Sequence, residues 1–553
     1  MSLIGMAACG SSSSTAITGV SVTCTPTSLQ TGQTSACTAT VTGTGTNFNT
    51  AVYWGSSAGV IDANGVFTAQ SVTTSTSVSI TATSVQDSTM NATATVTVTP
   101  LSAITVSCTP TVVQSRQTSQ CSAFANGSPT TAVNWSTSIG AINAAGNFSA
   151  PTVTASTVAT VTAVTQTGNI SGSNTITVNV NNAAPIAVDG GPTVNGTSIG
   201  YPNGVYVTAT VCVPNTTTCT TIDHVLVDTG SVGFRVLSSA LGSVVLPGQT
   251  ASDGNPMAEC YIAPAGYAWG PVALAQVQVT GEIATSIPVE VIAPSNFAAA
   301  PASCTGQTTG GALSTVNTLE AKGILGIGFW AQDCGSTCTA SPQSTYYSCP
   351  LAGCAPIPVA LAQQVSNPVA AFPNDNNGSQ IQLPPTLAAG SPTSQGSLIF
   401  GIGTQPNNGL NGATVYTVTS SGANPGSFVS TYNSNAYPGT VSSGANANYF
   451  LTSAITGYPL CTTNPGYYCP SSAQSPSVTN TGTNGASTSI TLTVDNGDSL
   501  IASGNFAFSS LAGPGGNRTT GFIFGVPFFY GRTVFTALNG ATTPSGPGPY
   551  FAY

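Results

Sequence analysis

The sequence predicts a mainly β protein, and three observations carry that prediction. Thr, Ser, Gly, Ala and Val dominate the 553 residues, and the β-branched members of that set lose rotamer freedom in helices but pack well on a pleated surface. Short alternating runs such as Ala92-Thr93-Ala94-Thr95-Val96-Thr97-Val98 put apolar residues on one face of a strand and hydroxyls on the other. Turn residues recur between the runs, with Gly 61 and Pro 37, so the strands are short and many.

Charge and cysteine usage narrow the function classes. Lys+Arg number 5 against Asp+Glu 14, for a net charge of -9, and only 3% of residues are charged. No basic face for nucleic acid can be assembled from that set. No apolar run approaches the roughly 18 residues of a membrane-spanning helix, so membrane association is expected only through a lipid anchor. Fifteen cysteines beside a single histidine, His224, point to disulfides in an oxidising compartment rather than to a zinc site. Neither a metal nor a cofactor is expected, and His224 reads as structural.

Residues 1–16 read as a leader and a Ser-rich tether. Met6-Ala7-Ala8-Cys9 followed by serines resembles a bacterial lipoprotein signal ending at the cysteine that is lipidated. Cys9 would then anchor the chain at the cell surface, leaving fourteen cysteines for seven disulfides. Two copies of one module follow, at 17–100 and 101–181. Cys24, Pro26 and Cys37 recur 84 residues later as Cys108, Pro110 and Cys121; Trp54, Gly59, Ile61, Gly65, Phe67 and Ala69 recur 81 residues later as Trp135, Gly140, Ile142, Gly146, Phe148 and Ala150. Each copy has the length and texture of an antiparallel β-sandwich with Trp54 or Trp135 as core anchor and one disulfide, Cys24 with Cys37 and Cys108 with Cys121. The motif Trp, Gly-x-Ile, Gly-x-Phe-x-Ala resembles bacterial immunoglobulin-like domains, which implies two tandem sandwiches acting as spacers. Residues 182–195, with Pro185 and Gly190-Gly191-Pro192, read as a linker.

The stretch from 196 to 553 carries the chemistry. Val225-Leu226-Val227 leads into Asp228-Thr229-Gly230-Ser231, a β-forming run that delivers one carboxylate to a tight turn with two short hydroxyls. Ile490-Thr491-Leu492-Thr493-Val494 likewise ends in Asp495-Asn496-Gly497-Asp498. Cys212 with Cys219 and Cys461 with Cys469 bracket short loops and are expected to pair, as are Cys260 with Cys304. Cys334, Cys338, Cys349 and Cys354 are expected to form two disulfides whose pairing stays open. Pro358 to Val365 has helical spacing, and residues 470–488 read as a mobile low-complexity loop.

Five stretches in order resemble a bilobal pepsin-like aspartic peptidase: Asp228 to Ser231 with Phe234, Val236 and Leu237; Gly323-Ile324-Leu325-Gly326; Ser397-Leu398-Ile399-Phe400-Gly401; Asp495 to Leu500; and Gly521-Phe522-Ile523-Phe524-Gly525. The resemblance implies a second lobe beginning near 370–395 and a catalytic dyad of Asp228 and Asp495, supported by Thr229, Gly230, Ser231, Asn496, Gly497 and Asp498. A flap would carry Tyr261 or Tyr267 on the hairpin around Pro264-Ala265-Gly266. Two carboxylates facing one water share a proton, one acting as base and the other as acid. Three positions depart from the pattern. Asn496 and Asp498 stand where the family has hydroxyls, and Asp498 would add a repelling charge to the dyad. Arg235 stands where relatives have an aromatic behind the flap. Two function classes follow: a surface aspartic endopeptidase acting on polypeptides, or a catalytically inactive cleft that binds a protein partner or assembles through its β surfaces.

Overall fold

A computed structural model describes residues 15–166, 169–422, 424–515 and 521–553. Cys9 lies outside the described residues. The chain forms two compact units, one ending at Val178 and the other running from Asn179 to Tyr553. Strands are the dominant element in both, and no described helix is long and apolar enough to cross a membrane.

In the first unit, each repeat folds as two sheets. The first repeat joins Ala16–Thr25, Thr34–Thr44, Val66–Thr68 and Val60–Ile61 in one sheet, and Ser28–Gln30, Asn91–Thr99, Thr76–Ser84 and Val52–Ser56 in the other. A single core draws on both sheets, with Phe67, Ile80, Val96 and Val98 fully buried. Trp54 packs against that core only partly buried, so the anchor is Phe67 rather than the tryptophan. Trp135 is likewise half-buried and Phe148 fully buried. Gly65 explains the arrangement: its φ is +81°, and a Cβ there would strike the Cys37 carbonyl at 2.3 Å and the indole of Trp54 at 3.1 Å. All fourteen described cysteines pair, as Cys24–Cys37, Cys108–Cys121, Cys212–Cys219, Cys260–Cys304, Cys334–Cys338, Cys349–Cys354 and Cys461–Cys469.

The second unit is built on a long mixed sheet and a seven-stranded sheet. Three segments differ from the sequence expectation. Ala183–Val188, read as linker, is a strand paired with Ser394–Phe400. The alternation of Ala184, Ile186 and Val188, all buried, outweighs Pro185 beside them. Pro358 to Val365 forms only a 3-10 turn at Leu361–Gln363, because Leu361 is exposed and no apolar stripe is available to bury. Within 470–488, Ser477–Thr481 pairs with Ser487–Thr491 as a hairpin, its register set by Val478 and Ile490 facing inward.

One motif occurs twice and positions the site. Cys219–Asp228 runs parallel to Gly323–Ile327, which runs antiparallel to Val232–Leu237. In the other lobe, Asn435–Val441 runs parallel to Phe522–Phe524, which runs antiparallel to Asn448–Phe450. One continuous apolar core, from Ala184 to Phe551, backs both copies.

Candidate functional site

Asp228 ends its strand beside Gly326. Its Oδ1 accepts from the Gly230 N–H at 2.7 Å, which holds the carboxylate at the mouth of the turn. The duplicated motif identifies the matching position. Val441 pairs with Phe524, immediately before Gly525, so the residue that follows Val441 stands where Asp228 stands in the first copy. That residue is Ser442. Its hydroxyl donates to Asp228 Oδ1 across 3.1 Å.

The two turns are locked together by reciprocal bonds. The Thr229 N–H donates to Ser443 Oγ at 3.1 Å, and the Ser443 N–H donates to Thr229 Oγ1 at 3.0 Å. Ser443 Oγ also donates to the Val227 carbonyl at 2.7 Å. Glycine is required twice: a Cβ on Gly444 would sit 2.3 Å from Asp228 Cγ, and one on Gly230 would sit 2.4 Å from Ser442 Oγ.

Asp495 is therefore not the group set against Asp228. Its N–H donates to Ser510 O at 3.0 Å and its Oδ1 accepts from the Asn496 N–H at 2.8 Å. Asn496 caps the short helix Gly497–Ala502 by accepting from Ser499 N–H at 2.9 Å. Gly497 packs on Tyr467 and Cys461. Asp498 accepts from the N–H groups of Thr462, Thr463 and Asn464 and from the Asn464 amide. These bonds, led by Thr463, hold its carboxyl below the usual range. The Asp495 to Asp498 stretch thus fastens the Cys461–Cys469 loop rather than forming half of a dyad. Sequence reasoning missed Ser442-Ser443-Gly444 because it sought a carboxylate. The legible signal was the strand Asn435–Val441 ending in two hydroxyls and a glycine ahead of Phe522 to Gly525.

The hairpin Met257–Ala263 with Gly266–Val279 turns at Pro264-Ala265 and separates the two tyrosines. Tyr267 packs with Trp269 and the Cys260–Cys304 disulfide. Tyr261 faces the site: burial, and then the charge of Asp228, push its phenol up to about 12, while the buried Ser231 hydroxyl makes no hydrogen bond among the described residues. Behind Tyr261 stands Arg235, its Cζ 4.0 Å from the ring centroid. Thr229 and Gly230 also border a cavity of about 360 Å³ whose other walls include Phe329, Trp330, Pro438 and Phe522. Aromatic and proline walls favour apolar side chains, with polar turns at one end to orient a ligand.

His224 lies on the strand leading to Asp228 but bonds away from the cleft, to Asp223 at 2.6 Å and Asp189 at 3.3 Å. The carboxylate of Asp189 raises its basicity. Sulfurs of Cys461 and Cys469 lie near Asp498, but the disulfide removes them as thiolate ligands.

Among solved structures, the chain is similar to the crystal structure of aspartic proteinase from Irpex lacteus, at 16% identity and a TM-score of 0.40, covering 67% of this chain and 96% of that one. No curated protein matches it. A family model matches residues 178–553, and the chain belongs to that family, described as Protein of unknown function (DUF3443).

Proposed function

We propose that the second unit is a cleft that binds an extended polypeptide without hydrolysing it, held at the cell surface through Cys9 and carried on two immunoglobulin-like spacers. Ser442 is the observation that carries this reading. Water attack on an amide in such a cleft needs one carboxylate as base and a second as acid. With a hydroxyl facing Asp228 at 3.1 Å, only the base is present, since a serine hydroxyl is far too weak an acid to give up its proton as a carboxyl does. What the arrangement retains is suited to holding a chain: a locked pair of turns, a tyrosine-bearing hairpin and an aromatic-walled cavity.

Oxidised insulin B chain, an extended apolar-rich polypeptide, tests it. Binding is expected to perturb the fluorescence of Trp330 in the cavity wall, to weaken on Thr440→Trp, which fills that cavity, and to leave the peptide intact. Cleavage of the peptide at any pH from about 2 to about 7, where a carboxylate pair titrates, would restore the hydrolytic reading if Asp228→Asn abolished it.

A further inference from the structure

Three segments meet behind the Asp228 turn on one guanidinium. Arg235 is fully buried on the strand Val232–Leu237. Its Nη1 donates to Val232 O at 2.7 Å; its Nη2 donates to Glu259 and, at 3.1 Å, to Asp333 Oδ2; its Nε lies 3.3 Å from Glu290 Oε2. Glu259 and Tyr261 are alternate residues of the strand Met257–Ala263, so both project to one side of the hairpin. One planar fork thus grips the hairpin twice, by an ion pair at Glu259 and by a stacked ring at Tyr261. Its rigid, always charged geometry suits that double contact better than a lysine would.

The charges around it do not balance by themselves. Glu259 comes from the hairpin, Glu290 from the strand Glu282–Ile292, and Asp333 from the segment after Gly328; all three face one cation. Tyr346 donates its hydroxyl to Asp333 Oδ1 at 2.6 Å, and Tyr261 stands between Arg235 and Asp228. Full ionisation would leave two uncompensated negative charges in a buried site, which is costly.

We propose that Arg235 is the positioning residue of the cleft, fixing the hairpin strand and the Tyr261 phenol over the Asp228 turn with a grip that is tightest when Glu259 is ionised against the guanidinium and the surplus carboxyls of Glu290 and Asp333 hold protons. Burial is the leading cause that raises Glu259 and Asp333 and lifts Glu290 to about 8. Groups raised in the folded state favour it while they are protonated and oppose it as pH climbs toward their folded values. The hairpin is therefore held firmly while Glu290 stays protonated and loosens as it ionises. Access to the cleft follows the same pH dependence.

Hydrogen exchange on the full chain tests this without any ligand, and so independently of polypeptide binding. After correction for intrinsic rates, protection of Met257–Ala263 should fall about tenfold or more between roughly pH 6 and pH 9, while the strand Gly378–Leu383 keeps its protection. Arg235→Met should make the hairpin exchange fast at every pH, with Gly378–Leu383 unchanged. Equal loss in both strands of the wild type, or wild-type hairpin protection in Arg235→Met, would overturn the assignment. Should Arg235→Met not fold, Glu290→Gln removes the group that titrates near neutrality and keeps its volume. It should hold hairpin protection up to pH 9, and an unaltered pH dependence in that variant would refute the role.

Discussion

Ser442 Oγ donates to Asp228 Oδ1 across 3.1 Å, Asp228 ending its strand and Ser442 directly following the equivalent strand of a duplicated motif. The second carboxylate of the expected dyad is absent from that position, while the turns around it are intact. Ser442→Asp supplies the missing acid. The variant is expected to digest denatured casein at acidic pH at a rate on the order of 100-fold or more above wild type, the scale of a positioned acid–base partner. The added activity should disappear in the Asp228→Asn, Ser442→Asp double variant. No gain in Ser442→Asp, with the fold preserved, would mean that more than one residue separates this cleft from catalysis.

The Thr229–Ser443 bonds hold the two lobes at the site. Ser443→Ala leaves the buried Thr229 N–H and Val227 carbonyl each without a side-chain partner, at about 1–3 kcal/mol per group. Urea denaturation should show a loss of roughly 2–6 kcal/mol. A change below about 0.5 kcal/mol, the range of ordinary surface substitutions, would mean that the grip does not carry stability.

Stability should peak in mild acid. Burial lifts Glu282 to about 9, Glu290 to about 8 and Glu320 to about 7. Each has a folded value above its ordinary one, so its contribution is complete below about pH 4.5 and is lost as pH rises toward the folded value. For Glu282 alone the loss by pH 7 is on the order of 3 kcal/mol. Asp223, lowered to about 2 with its bond to Lys322 the largest favourable cause against burial, works the other way and loses its contribution as pH falls below about 4. Thermal melts across pH should therefore give the highest Tm at about pH 4 to 5. A Tm that rises steadily from pH 5 to pH 8 would contradict the buried protonated carboxyls, and Glu282→Gln should flatten the decline.

Asp498 does not restrain a dyad. Asp498→Thr removes the acceptor for the Thr462, Thr463 and Asn464 N–H groups. The segment from Cys461 to Cys469 should exchange hydrogen faster, with insulin B chain binding unchanged and no hydrolysis gained. Appearance of hydrolysis in this single variant would place Asp498 back at the cleft.

The β class, the repeat and the local disulfides were written in short-range pattern, because alternation, turn residues and cysteine spacing report on contacts between near neighbours. Asp228 was legible for the same reason: its apolar run, turn glycine and hydroxyls are contiguous. What only the tertiary structure decided was which residue faces it. Asp495 and Ser442 both follow β-forming segments, and a carboxylate is the louder signal, but the pairing of Val441 with Phe524 selects Ser442. The same holds for Tyr261 over Tyr267 and for the cluster around Arg235, whose Glu259, Glu290 and Asp333 are scattered along the chain and meet only when the strands pack. Strand pairing between distant segments costs loop-closure entropy and is repaid by a whole buried core, so no local stretch of sequence contains the information that sets one side chain against another across the cleft.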